Sequence, residues 1–467
     1  MAKQLVRSLG LWGAVATAVG IVVSSSAMVS LGQGFGNGGK GFVIAMVFAL
    51  FLNVCVAFSF AELSGMVPRA GGLNHYTLPA MGPFVGMVAV ITGYVLVTLF
   101  AGSAEAAISG IVFNEVFSVG ANPIVIAIIV VTLLGIANLF GIQIFSWTQM
   151  VLTTLLIAST VILGIIGLTG VGAGEPVSNP IEFNPMGWGV LSLTALAFWL
   201  FVGVEFVTPL AEEIKKPKIY IPLSMILGLV IIFVADMLFG YASIKHAPLD
   251  QLAGSSSPHV DTAKAILGEK GLIWMGIVTI LATSSTLNTL ISSIARMLYA
   301  MALEGQMPKV FGKLNRWGTP WAAILFLCVL FVAFLLIGIT NSSTLTIFIL
   351  AGCICWMLAY VVAHLNVIIL RLRFPNAKRG FKSPFGYTFQ IIGILGMLYV
   401  MVNIFPDPVI KAEIYKYTFL FLALTVVYSI CWIKFIMKKK LFETTPIENL
   451  LDETDYESPQ SKEKISG

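Results

Sequence analysis

Gly20-Ile21-Val22-Val23-Ser24-Ser25-Ser26 and Phe198-Trp199-Leu200-Phe201-Val202-Gly203-Val204-Glu205 are the two stretches on which the fold turns. Each lies inside an apolar run long enough to cross a bilayer, which takes roughly 20 residues. Each also holds residues that a crossing helix carries badly. Consecutive serines offer hydroxyls that compete for backbone hydrogen bonds. A glycine followed closely by a glutamate places a flexible joint and an ionisable group at mid-membrane depth. Both stretches therefore predict interrupted helices, near Val23 and Gly203.

Reading outward from them, the chain contains twelve apolar runs. Five fall within residues 9–168, five within 189–370 and two more within 387–436. The interrupted runs are the first of each set of five. Matched breaks in two halves are what inverted repeats of a solute carrier predict, because unwound backbone presents free N–H and C=O groups to a solute. Composition agrees with a lipid solvent: 58% of residues are hydrophobic and 10% charged, against about 25% charged in soluble domains. With residues 1–8 placed inside, all but six of the 27 Lys and Arg fall on the inner side. The outer ones are Lys40, Lys245, Lys264, Lys270, Lys411 and Lys416. This bias predicts a multi-pass cell-membrane protein with both termini cytoplasmic. The tail, residues 441–467, is polar and acidic and reads as disordered.

Other chemistries find little support. A net charge of +5 over 467 residues points to no nucleic-acid partner. Cys55, Cys328, Cys353, Cys355 and Cys431 all sit in apolar runs without metal or redox spacing. Gly34, Gly36 and Gly39 fit a G-x-G-x-x-G pattern but follow no soluble strand and read as a flexible outer loop. No compact set of nucleophile, base or metal ligands stands out, so an enzyme is not expected, nor a cofactor or metal. His364 reads as a packed core residue and Asp236 as an acid paired with a neighbouring helix.

Four groups of residues then carry a resemblance. Ala61-Glu62-Leu63, Pro68-Arg69-Ala70-Gly71-Gly72, Tyr76 and Gly82-Pro83-Phe84 form the first. Asn138, Gly141 and Gln149 form the second. The sixth run with Glu212-Glu213-Ile214-Lys215-Lys216-Pro217 forms the third. Arg296, Tyr299-Ala300-Met301, Glu304-Gly305-Gln306-Met307-Pro308 and Gly318-Thr319-Pro320 form the fourth. In order and spacing they resemble the amino acid–polyamine–organocation superfamily, and within it the amino acid permeases. The resemblance spans about Leu9 to Ile436. It implies an all-α membrane protein of twelve helices, with a leucine-transporter-like five-plus-five inverted repeat and two added C-terminal helices. It also implies a secondary active transporter of amino acids that works by alternating access. Polyamines or other organic amines lacking a carboxylate are the alternative solutes.

The resemblance places a solute carboxylate on the backbone N–H groups of Ser24, Ser25 and Ser26, at the positive end of a half-helix. The family usually has small residues with glycines here, and this chain has three serines. The solute amine is expected near the carbonyls of Val22, Trp199 and Val202, beside Gly203, with Trp199 as a lid. Glu205 is expected to link the two broken helices or carry a proton. Glu105 is a candidate for a solute amine or coupling ion, or for the outer mouth. Glu62 is a candidate gate-forming acid. Some relatives replace a sodium ion with a lysine in the fifth helix, but the corresponding position here is Leu156. Thr283 and Ser284 offer hydroxyl ligands suited to sodium. Proton symport, sodium symport and solute exchange all remain open as drivers.

Overall fold

The computed structural model describes residues 5, 7–117, 120–171, 174–179, 183–338, 342–405 and 407–446. Among these, the regular structure is helical and no strand forms. That is the arrangement a lipid solvent demands, since an unpaired N–H or C=O in hydrocarbon costs several kcal/mol. Eight helical stretches are long and apolar enough to cross a membrane, and four shorter apolar helices accompany them. Large apolar side chains face outward, with Leu133 61%, Trp147 69% and Phe419 61% exposed. Such a surface fits lipid and not water.

The first run is split into α1 (Leu11–Val22) and α2 (Ser25–Gly38). α3 (Phe42–Met66), α4 (Leu73–Met81) and α5 (Pro83–Val90) follow. Two widened π-helical segments, Ile91–Leu96 and Thr98–Gly102, then lead into α6 (Ser103–Phe117). α7 (Pro123–Leu139) and α8 (Ile142–Thr169) come next. The sixth run is fragmented: a 3-10 segment Gly187–Leu193, α9 (Thr194–Trp199), a turn, and a second 3-10 segment Val204–Glu213. α10 (Pro217–His246) is followed by two short helices, α11 (Leu249–Gly254) and α12 (Pro258–Leu267). The long helices resume with α13 (Glu269–Leu303), α14 (Trp321–Gly338) and α15 (Ser342–Arg373). α16 (Thr388–Val402) and α17 (Pro408–Cys431) complete the order.

Both interruptions occur where the sequence predicts them. Ser24 takes extended backbone, φ −104° and ψ 165°, and caps α2 by accepting the N–H of Ala27 on its side chain at 3.0 Å. The serine run thus ends one helix and starts the next, as a capping residue does. In the sixth run, Gly203 has φ +118°, a conformation costly for any residue with a Cβ. Beyond it, Pro209 lacks the N–H that would close a regular helical turn onto Glu205, so the chain winds as a 3-10 segment. The breaks face each other: a Cβ on Gly203 would lie 3.2 Å from Ile21 and 3.1 Å from the Trp356 ring. Gly203→Ala is expected to cost about 1–3 kcal/mol from backbone strain alone. A lowered melting midpoint in detergent would show it, with Gly254→Ala as a neutral control, since nothing lies within 4 Å of that site.

Two sequence-based expectations are corrected by the fold. The Gly34, Gly36 and Gly39 pattern is no flexible loop: Gly34 and Gly36 belong to α2. A Cβ on Gly36 would collide with the backbone of Ala253, so the glycine permits helix-to-helix contact with α11. The tail also begins as packed chain. Phe442 meets Phe84 edge-on at 5.6 Å, and Thr445 donates its N–H to the Leu78 carbonyl at 3.2 Å. Residues 447–467 lie outside the described residues, as do most of residues 1–8.

Candidate functional site

The start of α2 is a positive helix end buried in the middle of the protein. A helix leaves its first N–H groups without intrahelical partners. Here each of the first three after the cap has a side-chain acceptor. Ala27 donates to Ser24 Oγ. Ser25 donates its N–H to Glu105 Oε1 at 2.5 Å, and Ser26 donates to Glu105 Oε2 at 3.0 Å. The Ser25 hydroxyl adds a further bond to Oε1 at 2.5 Å, and the Thr283 hydroxyl lies 3.3 Å from the same oxygen. The Glu105 side chain therefore straddles the helix end as a bound anion would. The π-helical turns just before α6 rotate this acid toward the break, a type of distortion often seen at functional sites.

A small cavity, with about 20 Å³ of free volume, opens beside this contact. Its walls include Ile21, Val22, Ser24 and Ser26 from the first break, and Trp199 and Val202 from the second. Val97, Ala101, Glu105, Thr286, Leu290 and Trp356 close it. In this conformation it has room for about one water molecule, well below the roughly 300–1,000 Å³ common for ligand pockets, so a solute enters only when the surrounding helices part. Trp199 and Trp356 meet edge-to-face, 5.9 Å apart at 80°. Trp199 Nε1 donates to Ser26 Oγ at 3.0 Å, which pins the indole across the two breaks.

Beneath the cavity the sixth-run break is tied to α15. Trp356 Nε1 donates to Glu205 Oε1 at 2.7 Å, and the Tyr360 hydroxyl donates to Glu205 Oε2 at 2.6 Å. The Gly203 N–H in turn donates to the Tyr360 oxygen at 3.0 Å. Glu205 is fully buried. Its two oxygens are thus paired, which a buried carboxylate requires.

Similarity to known proteins agrees with this geometry. The amino acid permease family profile matches residues 9–430. The chain belongs to the amino acid permease family. A branched-chain amino acid permease of Bacillus subtilis, BcaP, is 25% identical to this permease over 86% of the present chain and 89% of its own. The serine/threonine exchanger SteT of the same organism is 25% identical, covering 85% and 91% of the two chains. A methylthioribose transporter of B. subtilis is 24% identical, covering 84% and 87%. Among solved structures, a sodium-coupled sialic acid symporter superposes with a TM-score of 0.54 at 13% identity, over 86% of this chain and 91% of the other. The permease shares that symporter's fold.

Measured against the sequence, the permease brings Val22, Ser24, Ser26, Trp199, Val202 and Glu105 to one cavity, with Ser25 and Gly203 directly behind it. Several roles differ from those expected. The N–H groups of Ser25 and Ser26 face Glu105 rather than open space. The Val22 carbonyl accepts the N–H of Ser24 at 2.9 Å. The Ser26 hydroxyl serves Trp199 and lies 3.0 Å from Ser24 Oγ. Glu205 accepts hydrogen bonds from Trp356 and Tyr360 of α15. Thr283 serves Glu105 and Ser25, while Ser284 is half-buried and does not line the cavity. Facing the first break from α13 are instead Thr286, 3.2 Å from the Ile21 carbonyl, and Ser285, which accepts from Gln149 Nε2 at 2.8 Å.

Glu62 lies away from the cavity, at the end of α3. It accepts Arg371 Nε at 2.8 Å, meets Arg379 at 3.2 Å, and takes the Ser383 N–H at 2.9 Å. His364 is buried, 2.9 Å from the Ser59 hydroxyl. Trp356 and Tyr360 are the functional candidates that sequence reasoning misses. Their only signal is a spacing of four on one helix, which puts an indole and a phenol on the same face.

Proposed function

We propose that this permease is a secondary active transporter of twelve spans, with residues 9–168 and 189–370 as inverted repeats and residues 387–436 as two added helices. It carries small amine-bearing solutes, either amino acids or amines lacking a carboxylate, across the cell membrane by alternating access, with both termini cytoplasmic. The observation that carries this reading is the pair of facing helix breaks beside one small cavity. Aromatic faces and a carboxylate suit an ammonium group there, since an indole attracts a cation and an acid pairs with it. Amino acids and amines lacking a carboxylate share that group. The similarity to BcaP and SteT supports the amino-acid class in general terms.

Coupling to protons is supported by two buried acids, Glu105 and Glu205, each adjoining a break. A sodium route through Thr283 and Ser284 gains less support, because the Thr283 hydroxyl is committed to Glu105. Exchange of solutes is compatible with the same cavity. The test is uptake of a labelled panel of amino acids and amines into proteoliposomes, with and without imposed pH and sodium gradients. Trp199→Ala is expected to raise the half-saturating concentration by about tenfold, the loss of roughly 1–2 kcal/mol from one cation–π contact. Trp199→Phe should recover part of that affinity. Absence of gradient-dependent or exchange uptake of any panel member would refute the transport reading.

A further inference from the structure

We infer that Glu105 permanently occupies the seat of a solute carboxylate, so that the cavity selects a small organic amine without a carboxylate. This inference rests on the transport reading and narrows its solute class. The donors at the helix end are already taken. The N–H groups of Ser25, Ser26 and Ala27 are the first three of α2 after its cap, and protein side chains accept all three. Glu105 alone takes two of them, together with the Ser25 hydroxyl. A solute carboxylate would have to displace an acid held by four groups: two backbone N–H groups and the Ser25 and Thr283 hydroxyls. It would then share a buried cavity with that displaced acid, and two carboxylates in one site repel strongly.

The remaining features of the cavity point the same way. Among the described residues that line it, Glu105 is the one charged group, and no lysine or arginine is there to receive a second anion. Glu105 Oε2 accepts a single bond from the protein, at Ser26. A carboxylate oxygen can accept more than one, so it retains capacity for an ammonium donor. Trp199 and Trp356 supply indole faces beside it, and Val97, Ala101 and Leu290 offer an apolar wall for a short hydrocarbon chain. One acid and an apolar wall match a monoamine better than a polyamine, whose second ammonium would meet no acid.

Matched probe pairs separate the classes: leucine with 3-methylbutylamine, and phenylalanine with 2-phenylethylamine. Binding is read by radioligand competition on purified protein, and uptake is read in proteoliposomes. The wild type should favour each amine over its amino acid by at least about tenfold, the effect of one charged hydrogen bond. Glu105→Ala should reverse the preference, because it frees the Ser25 and Ser26 N–H groups for a solute carboxylate and removes the amine's partner. Glu105→Gln keeps the side-chain volume and should lose amine affinity without gaining the amino acid; it also reports whether the fold tolerates loss of charge. Wild-type uptake that favours the amino acids, with Glu105→Ala weakening both members of each pair equally, would overturn this inference and leave transport standing. Saturable uptake of neither series by monodisperse wild type would overturn both.

Discussion

Glu205→Ala is expected to abolish concentrative uptake. Its carboxylate is the acceptor for Trp356 Nε1 and the Tyr360 hydroxyl, and all three groups are buried. Removing it leaves two buried donors without their acceptor. Hydrogen bonds to a charged group contribute about 1.5–3 kcal/mol each, so the two together hold the break against α15 by roughly 3–6 kcal/mol. A loss of that size shifts the population of the ordered break by about two to four decades. Gly203 follows, because its N–H is held by the same tyrosine oxygen. Glu205→Gln separates structure from coupling. An amide oxygen can still accept one of the two bonds but cannot pick up and release a proton. Concentrative uptake should then fall more than solute exchange. Unchanged rates and an unchanged pH profile in Glu205→Gln would mean that this acid is purely structural.

Arg296→Ala is expected to destabilise the whole protein, with loss of transport following from loss of fold. Arg296 is 1% exposed and pairs through both Nε and Nη2 with Glu213, which is equally buried. Its Nη1 also donates to the Ser292 carbonyl at 2.9 Å and hydroxyl at 2.7 Å. The pair joins the end of the sixth run to α13. Beside it, the Glu213 carbonyl accepts the N–H groups of Ser8 and Leu9, so the N-terminal segment is fastened at the same place. Removing one partner of a buried ion pair strands the other and typically costs about 3–5 kcal/mol. The detergent melting midpoint should fall sharply, and uptake with it, as this face of the membrane loses its closure. Replacing both partners, as Arg296→Met with Glu213→Leu, should recover much of the stability but not the transport cycle. A double-mutant cycle on the melting data isolates the coupling energy. Additive losses would show that the two residues act independently.

Local chemistry was legible along the chain. The break in the first run follows from three consecutive serines, one of which becomes a cap through a bond to a residue three positions away. The break in the sixth run follows from Gly203 and Pro209, whose backbone limits act at their own positions. The apolar runs announce lipid through length and composition. The ordered motifs from Glu62 to Gly318 identify the family, and they include both members of the Arg296–Glu213 pair. All of these depend on neighbours a few residues apart or on patterns that survive without coordinates.

The occupants of the site were not legible in the same way. Glu105 reaches Ser25 across 80 positions, and Trp356 reaches Glu205 across 151. Whether such groups meet depends on the rotation and depth of several helices at once. A single widened turn alters both, and two π-helical segments precede Glu105. An acid between two alanines therefore reads equally as a solute partner, an ion ligand or a residue at the outer mouth. Packing of α6 against α2 and α13 resolves the ambiguity by bringing the carboxylate within hydrogen-bond range of two free N–H groups and two hydroxyls. A helix end in a low-dielectric interior favours the nearest anion that can reach it, and here that anion belongs to the protein.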